Sequence, residues 1–333
     1  MHAKEPAVAP TSSATTSPRR FIAIDIGGTK IASAIVELAS PLPLVSNKSE
    51  VPTPARSGSK AVVEAVFESV RRCLALENEA PAAIGIASAG VVNTETGAII
   101  SATDLIKGWA GTPLAKLVEE EFGLPVATLN DVHAHALGEC TYGAGKEYGS
   151  VLAVAVGTGI GGAIVADGKL HMGAHFAAGH VGHVPHPLAA GFPCSCGASG
   201  HIESVASGTG QVDLYNARTS ANEDQAKSGR EITQRAQAGE ALATQVLADS
   251  GAGLGDAIAG IANCVDPQAV VLSGSVTRSG EIWWSALKNA FQAGALPILK
   301  EIEILEGTLG SDAPLLGATT WAASKLEGVE NER

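Results

Sequence analysis

Residues 21–37 read FIAIDIGGTKIASAIVE. Two runs of alternating apolar residues flank Asp25-Ile26-Gly27-Gly28-Thr29-Lys30, the pattern of a β-hairpin closed by a glycine-rich turn. The scheme recurs at residues 150–170, SVLAVAVGTGIGGAIVADGKL, where a second hairpin crosses Gly157-Thr158-Gly159 and an Asp167-Gly168 turn closes the next strand pair. After the first hairpin, residues 61–77 carry Val62, Val63, Val66, Val70 and Leu74 at helical spacing, and residues 82–90, AAIGIASAG, read as a buried strand ending in small side chains. After the second come helical stretches over about 230–264 and a short strand, QAVVLS at 268–273, that runs into Gly274. Hairpin, helix and strand in two copies predict a duplicated α/β fold of two domains, with ligands in the cleft between them.

Composition agrees with that size and class. At roughly 150 residues per domain, 333 residues make about two domains. The balance of 22 Lys and Arg against 34 Asp and Glu gives a net charge of −12, which leaves no broad basic face for a nucleic acid. No apolar run approaches the ~18 residues of a membrane span, and the N-terminus lacks the apolar core of a secretory signal, so no membrane partner and a cytoplasmic location are expected. Residues 1–20 are rich in Pro, Ser, Thr and Ala without periodicity and read as a disordered tail. The five cysteines are odd in number, and Cys194 and Cys196 stand one residue apart, which does not suit a disulfide framework.

The chemistry gathers in four places. In the first turn, Gly27 and Gly28 have no Cβ to keep a phosphate from the backbone amides, and Asp25 at the strand end is placed to hold Mg2+ through water; a plain hairpin turn with a satisfied aspartate is the alternative. The second turn, residues 157–162, matches G-x-G-x-x-G. It is followed by β-rich AIVADGK and not by a helix, and no acidic residue stands about 20 positions on, so a nicotinamide site is rejected in favour of a second phosphate clamp facing the first. Gly145-Lys146 is followed by Glu147, and Cys140 occupies the place of the first glycine, which excludes a P-loop.

Asn130-Asp131 follows an apolar strand at 124–129. Phosphoryl transfer to an alcohol needs a carboxylate that accepts the hydroxyl proton, and Asp131 is the candidate; a helix N-cap is its other reading. Six of the nine histidines fall between His171 and His201 together with the C-x-C pair. His183, Cys194, Cys196 and His201 supply two nitrogens and two thiolates, enough for a closed tetrahedral zinc site, against a histidine-rich surface loop with free thiols.

These residues together resemble the ROK family of bacterial sugar kinases and repressors: the DIGGTK turn, Asn130-Asp131, VGTGIGGAIV, the G-H…C-x-C-G-x-x-G-x-x-E region and DPQAVVLSGSV. The resemblance runs from about Phe21 to Ser324 and implies an actin-like, hexokinase-like (ribonuclease H-like) duplicated fold. It implies a small domain of residues 21–131 plus 315–328, the chain returning through APLLGA at 313–318, and a large domain of residues 132–314 with a zinc loop at 180–203. It gives Asp131 the role of catalytic base and Asn130 that of a sugar-hydroxyl ligand. His183 would bind zinc and touch the sugar, Cys194 and Cys196 would bind zinc, Glu203 would hold hydroxyls near the anomeric carbon, and Gly90 would belong to the sugar loop. The Gly27-Gly28-Thr29-Lys30 and Gly157-Thr158-Gly159 turns would take the ATP phosphates, with Gly274 on the nucleotide side. ATP, Mg2+ and a structural zinc ion are the implied cofactors, an amino sugar the substrate and a homodimer the assembly.

Three positions depart from the family pattern. His201 replaces a zinc cysteine, which imidazole can do. Asp104 stands in place of a sugar-loop asparagine. His180 replaces the glutamate of the glucose-type G-E-x-G-H, and the resulting G-H-x-G-H form is similar to that of bacterial N-acetylmannosamine kinases of sialic acid catabolism. An imidazole offers one acceptor and one donor where a carboxylate accepts from two hydroxyls. Phosphorylation of the 6-hydroxyl of N-acetylmannosamine is therefore expected ahead of glucose or N-acetylglucosamine. A repressor is not expected, since the twenty residues before the first strand are too few for a helix-turn-helix.

Overall fold

The computed structural model describes residues 19–331 apart from 40–41, 78 and 221–223. Residues 1–18 of the expected tail lie outside that range. Arg19 and Arg20 do not belong to a tail but open the first strand, because the Arg20 guanidinium bonds Glu37 at 3.1 Å and Glu77 at 3.0 Å.

Two five-stranded sheets have the same topology. The first runs β3-β2-β1-β4-β7, from β1 (Arg19–Ile26), β2 (Lys30–Leu38), β3 (Leu44–Pro52), β4 (Ala83–Ser88) and β7 (Val126–Asn130). A small ribbon of β5 (Val91–Asn93) and β6 (Ala98–Ser101) precedes β7 in the chain. The second sheet runs β10-β9-β8-β11-β12, from β8 (Ser150–Val156), β9 (Ile160–Ala166), β10 (Lys169–Leu170), β11 (Ala269–Ser273) and β12 (Glu303–Glu306). In each, an antiparallel three-strand meander is extended by two parallel strands. The duplication legible in the two hairpins is thus a duplication of whole sheets.

Helices cover both faces of each sheet. Ile22, Ile24 and Ile26 are packed with α1 (Ser59–Leu74) and α2 (Leu114–Phe122), while Ala23, Ala34 and Val36 on the opposite face lie under Leu315 and Leu316 of α9 (Ala313–Asn331). In the second sheet Leu152, Val154 and Leu272 face a large core with α4 (Glu203–Ala206), α5 (Gly208–Arg218), α6 (Gly229–Gln237), α7 (Ala241–Val265) and α8 (Glu281–Gly294). Val151, Ala153 and Val271 on the other face pack on Ala136 of α3 (Asp131–Tyr142). Helices α3 and α9 therefore meet between the sheets. They cross so closely that a Cβ at Gly138 would overlap the Ala313 carbonyl, and one at Gly317 the Ala134 carbonyl. Among the described residues no helix is long and apolar enough to cross a membrane.

Element ends differ from the sequence reading where local signals compete. The first helix spans Ser59–Leu74 and not 61–77, and the strand before Asp131 begins at Val126 and not at 124. The helical region after 230 is two helices, α6 and α7, parted at Gly239, whose φ is +90°.

Candidate active site

Parallel pairing puts the carboxyl ends of β1, β4 and β7 side by side: Ile26 is level with Ser88, and Ser88 with Asn130. Asp25 and Asn130-Asp131 thereby arrive at one edge of the sheet, where open α/β sheets bind ligands. The helix cap is Asn130 and not Asp131, correcting the alternative given to Asp131. The Asn130 Oδ1 accepts from the N–H groups of Val132 (3.0 Å) and His133 (3.1 Å), and Asp131 is the first residue of α3. The amide nitrogen of Asn130 is left free for two other bonds, to the Gly90 carbonyl at 2.9 Å and to Asp131 Oδ1 at 2.9 Å. One side chain so joins the helix start, the carboxylate and the turn at Gly90, where φ is +98° and a Cβ would stand 2.8 Å from the Ser101 carbonyl.

Burial pushes the Asp131 carboxyl up from the ordinary carboxylate range, against the Val132 N–H, the Asn130 amide and nearby His180, which hold it down. Asp25 is pushed up to about 7, first by burial and then by the Asp131 charge, with Lys30 opposing. The Asp25 carboxylate has no hydrogen-bond partner among the described residues. Two neighbouring acids, one of them unpartnered, are a donor set that fits a hard divalent cation. Lys30 itself is exposed and paired with Glu50.

The two glycine turns present free amides. Gly27 N–H bonds the Lys30 carbonyl at 3.0 Å and Gly157 N–H the Gly159 carbonyl at 2.9 Å, but the N–H groups of Gly28, Thr29, Thr158 and Gly159 carry no protein hydrogen bond among the described residues. The sequence reading gave the second turn to phosphate alone; its glycines are also a packing seat. A Cβ at Gly161 would meet Val132 at 2.5 Å, and one at Gly162 would meet the Gly179 carbonyl at 2.7 Å. Glycine here lets the start of α3 and the loop of His180 lie directly on β9. A cavity of about 620 Å³ opens beside the turn, with Gly157, Thr158, Thr209, Lys227, Arg230 and Arg278 in its wall. Gly274, at φ +102°, packs on the Val156 carbonyl and lines an adjoining cavity of about 300 Å³ that shares Ser275 and Arg278 with the first.

The loop before α4 brings the remaining residues together. Bridges Pro185–His201 and Pro193–Ser199 fold it back on itself, and Cys194 N–H bonds the Ala198 carbonyl at 2.8 Å. The ligand atoms of His183, Cys194, Cys196 and His201 all lie within 4.8 Å of one another. Tetrahedral zinc with bonds of about 2.0–2.3 Å separates its donors by about 3.3–3.8 Å, so this set fits after a small contraction. The Cys194 Sγ to His183 Nδ1 and Cys196 Sγ to His201 Nδ1 distances are already 3.4 and 3.3 Å. The Glu203 carboxylate accepts from the Ile160 N–H at 2.8 Å and the Ser195 hydroxyl at 2.6 Å, tying this loop to the second turn. His180 stacks near His183, ring centroids 6.0 Å apart, and its Nδ1 donates to the Ala177 carbonyl at 3.0 Å, which in the neutral ring leaves Nε2 as an acceptor. Asp104 stands apart, exposed and without a hydrogen-bond partner among the described residues. Its neighbour Leu105 touches the first turn, where a Cβ on Gly28 would meet it at 2.5 Å.

Sequence reasoning missed His133, whose Nε2 bonds the Ala178 carbonyl at 2.9 Å and so anchors the loop of His180 to α3. A histidine at the i+2 position after Asp131 carries no pattern that reveals a partner 45 residues away.

The ROK family model matches residues 21–325, and the chain belongs to that family. It is 32% identical over 325 residues to a glucokinase of Halalkalibacterium halodurans, covering 93% of this chain and 97% of that protein. It is 31% identical over 308 residues to an N-acetylmannosamine kinase of Escherichia coli O1:K1, covering 92% and 99%. Its fold is similar, with a TM-score of 0.77 and 28% identity over 92% of this chain and 99% of the other, to the crystal structure of a ROK glucokinase from Streptomyces griseus in complex with glucose and AMPPNP. The fold is actin-like and hexokinase-like, and the protein is a sugar kinase of the ROK family.

Proposed function

We propose that the protein transfers the γ-phosphoryl group of ATP to the 6-hydroxyl of N-acetylmannosamine. The observation that carries the choice of sugar is His180, whose only free nitrogen is an acceptor in the neutral ring: in that form it suits one N–H or O–H donor beside the ring and not the adjacent pair of hydroxyls that a carboxylate would hold. Glucose is the second reading, favoured by the glucokinase relative at 32% identity.

In this reading the sugar lies between the Gly90 turn, Asn130, His180, His183 and Glu203, with O6 toward Asp131. O6 attacks the γ-phosphorus, the bond to the β–γ bridging oxygen breaks, and the hydroxyl proton passes to Asp131. The raised affinity of Asp131 for a proton, caused by burial, favours that transfer while the Asn130 amide keeps the carboxylate ionised and aimed. The amides of Gly28, Thr29, Thr158 and Gly159 and the cations Lys227, Arg230 and Arg278 are placed to meet the phosphate charge. Asp25 would hold Mg2+, which when bound neutralises phosphate charge. Zinc on His183, Cys194, Cys196 and His201 would fix the loop that carries His180 and Glu203.

The test is the product. With N-acetylmannosamine and Mg·ATP, phosphorus NMR is expected to show a monoester at the 6-position. Asp131→Asn is expected to yield none while sugar affinity stays within about tenfold, since the amide keeps the size but cannot take the proton. No monoester from the unsubstituted protein contradicts the proposal.

A further inference from the structure

The wall of the 620 Å³ cavity holds three cations, Lys227, Arg230 and Arg278, and among the described residues a single acid, Asp213 on α5. The acid pairs with none of them. Its side chain is exposed, and its carboxylate has no hydrogen-bond or ion-pair partner among the described residues; partial burial raises its affinity for a proton with no cation opposing. Helix α5 fixes where this carboxylate stands. The helix starts against the second glycine turn, where the Gly208 N–H bonds the Gly157 carbonyl at 2.8 Å and the Thr209 hydroxyl donates to the Thr158 carbonyl at 2.6 Å. Asp213 follows Thr209 by four residues, so the two share a face of the helix, with Asp213 about 6 Å further along its axis from the turn. An acid so placed opposes a phosphate chain by charge, and as an acceptor it gains only from hydrogen-bond donors.

We infer that the Asp213 carboxylate accepts hydrogen bonds from the 2′- and 3′-hydroxyls of the phosphoryl donor's ribose and so selects ribonucleotides over deoxyribonucleotides. The inference rests on the reading of this cavity as the nucleotide site. An ionised phosphate chain has no donor to offer. The donors of the nucleotide are the two ribose hydroxyls and the amine of the base, and of these the ribose is the unit joined to the phosphates. With the chain at the Thr158 turn, one turn of α5 leads to the ribose, whereas the amine lies at the far edge of the base. The two oxygens of a carboxylate match two adjacent hydroxyls.

Calorimetry with Mg·ADP, Mg·2′-deoxyADP and Mg·IDP on the full chain tests the selection without turnover. The unsubstituted protein is expected to prefer ADP over 2′-deoxyADP by about tenfold, the lower end for a hydrogen bond to a charged group because the side chain is exposed. Asp213→Ala is expected to bring those two affinities within about threefold and to leave the ratio of ADP to IDP, which share the ribose, unchanged. Removal of a repelling charge alone would tighten both adenine nucleotides equally, so the ratio reads the ribose contact. Asp213→Asn keeps one acceptor oxygen and is expected to give an intermediate preference. Equal affinities for ADP and 2′-deoxyADP in the unsubstituted protein, or a preference that persists in Asp213→Ala, overturn the inference. A change in the ADP to IDP ratio with the deoxy ratio unmoved gives the carboxylate to the base and overturns it too. A protein that binds no ADP contradicts the nucleotide reading of the cavity and this inference with it. A ribose preference lost in Asp213→Ala, in a protein that phosphorylates no sugar, supports this inference and contradicts the kinase reading alone.

Discussion

Asn130→Asp separates the several bonds of one side chain. Aspartate is as good an N-cap as asparagine, and a negative charge at a helix N-terminus is favourable, so the bonds from Val132 and His133 survive. The melting temperature is expected to stay within about 3 °C. Both bonds made by the amide nitrogen are lost, to the Gly90 carbonyl and to Asp131 Oδ1. A hydrogen bond to a charged group contributes about 1.5–3 kcal/mol, and 1.36 kcal/mol corresponds to one pH unit. Asp131 is half-buried, so the lower end applies. Repulsion between the two carboxylates acts in the same direction. The pKa of Asp131 rises, less of it is ionised at a given pH, and the acid limb of kcat/KM for the sugar is expected to move up by about one pH unit. The assay is that pH profile at saturating Mg·ATP, with thermal melts as the fold control. An acid limb that stays in place in a folded variant would refute the role given to the Asn130 amide.

Four other outcomes are expected. Asp25, raised to about 7, must lose its proton to take Mg2+, so the apparent Mg2+ affinity should fall about tenfold per pH unit below 7 and level off above it; affinity independent of pH between 6 and 8 excludes Asp25 as the ligand. Because the unfolded chain ionises this carboxyl first, the metal-free protein should also lose stability as pH rises from the ordinary carboxylate range to 7, and denaturant midpoints read this directly. Elemental analysis should find one zinc per chain, and its removal by chelator should weaken sugar binding more than nucleotide binding; active protein purified without chelator and free of zinc would sink that assignment. His180→Glu should lower the kcat/KM ratio of N-acetylmannosamine over glucose by about ten- to a hundredfold, and an unchanged ratio would move specificity to the loop of Gly90 and Asp104.

The hairpins were legible because an alternating pattern interrupted by Gly-Gly-Thr or Gly-Thr-Gly has few other foldings, and their repetition announced the duplicated sheets. Strand β3, LVSNKSEVP, was not legible, because it is an edge strand with half-exposed polar side chains and no apolar period. Strand β12 is only four residues long and lacks one too. The convergence of His183, Cys194, Cys196 and His201 was readable since cysteine and histidine are chemically specific and fall together in one stretch of the chain. Asp131 was legible as a carboxylate at a strand end, but the cap offered as its other reading belongs to Asn130, because Asn and Asp both cap and only the geometry separates them.

The central claim is the identity of the sugar. Coupled ADP release measured with N-acetylmannosamine, N-acetylglucosamine, mannose and glucose under one set of conditions tests it most directly. The highest kcat/KM is predicted for N-acetylmannosamine. A higher value for glucose would contradict the substrate while leaving a ROK sugar kinase, and release with none of the four would contradict the reaction itself.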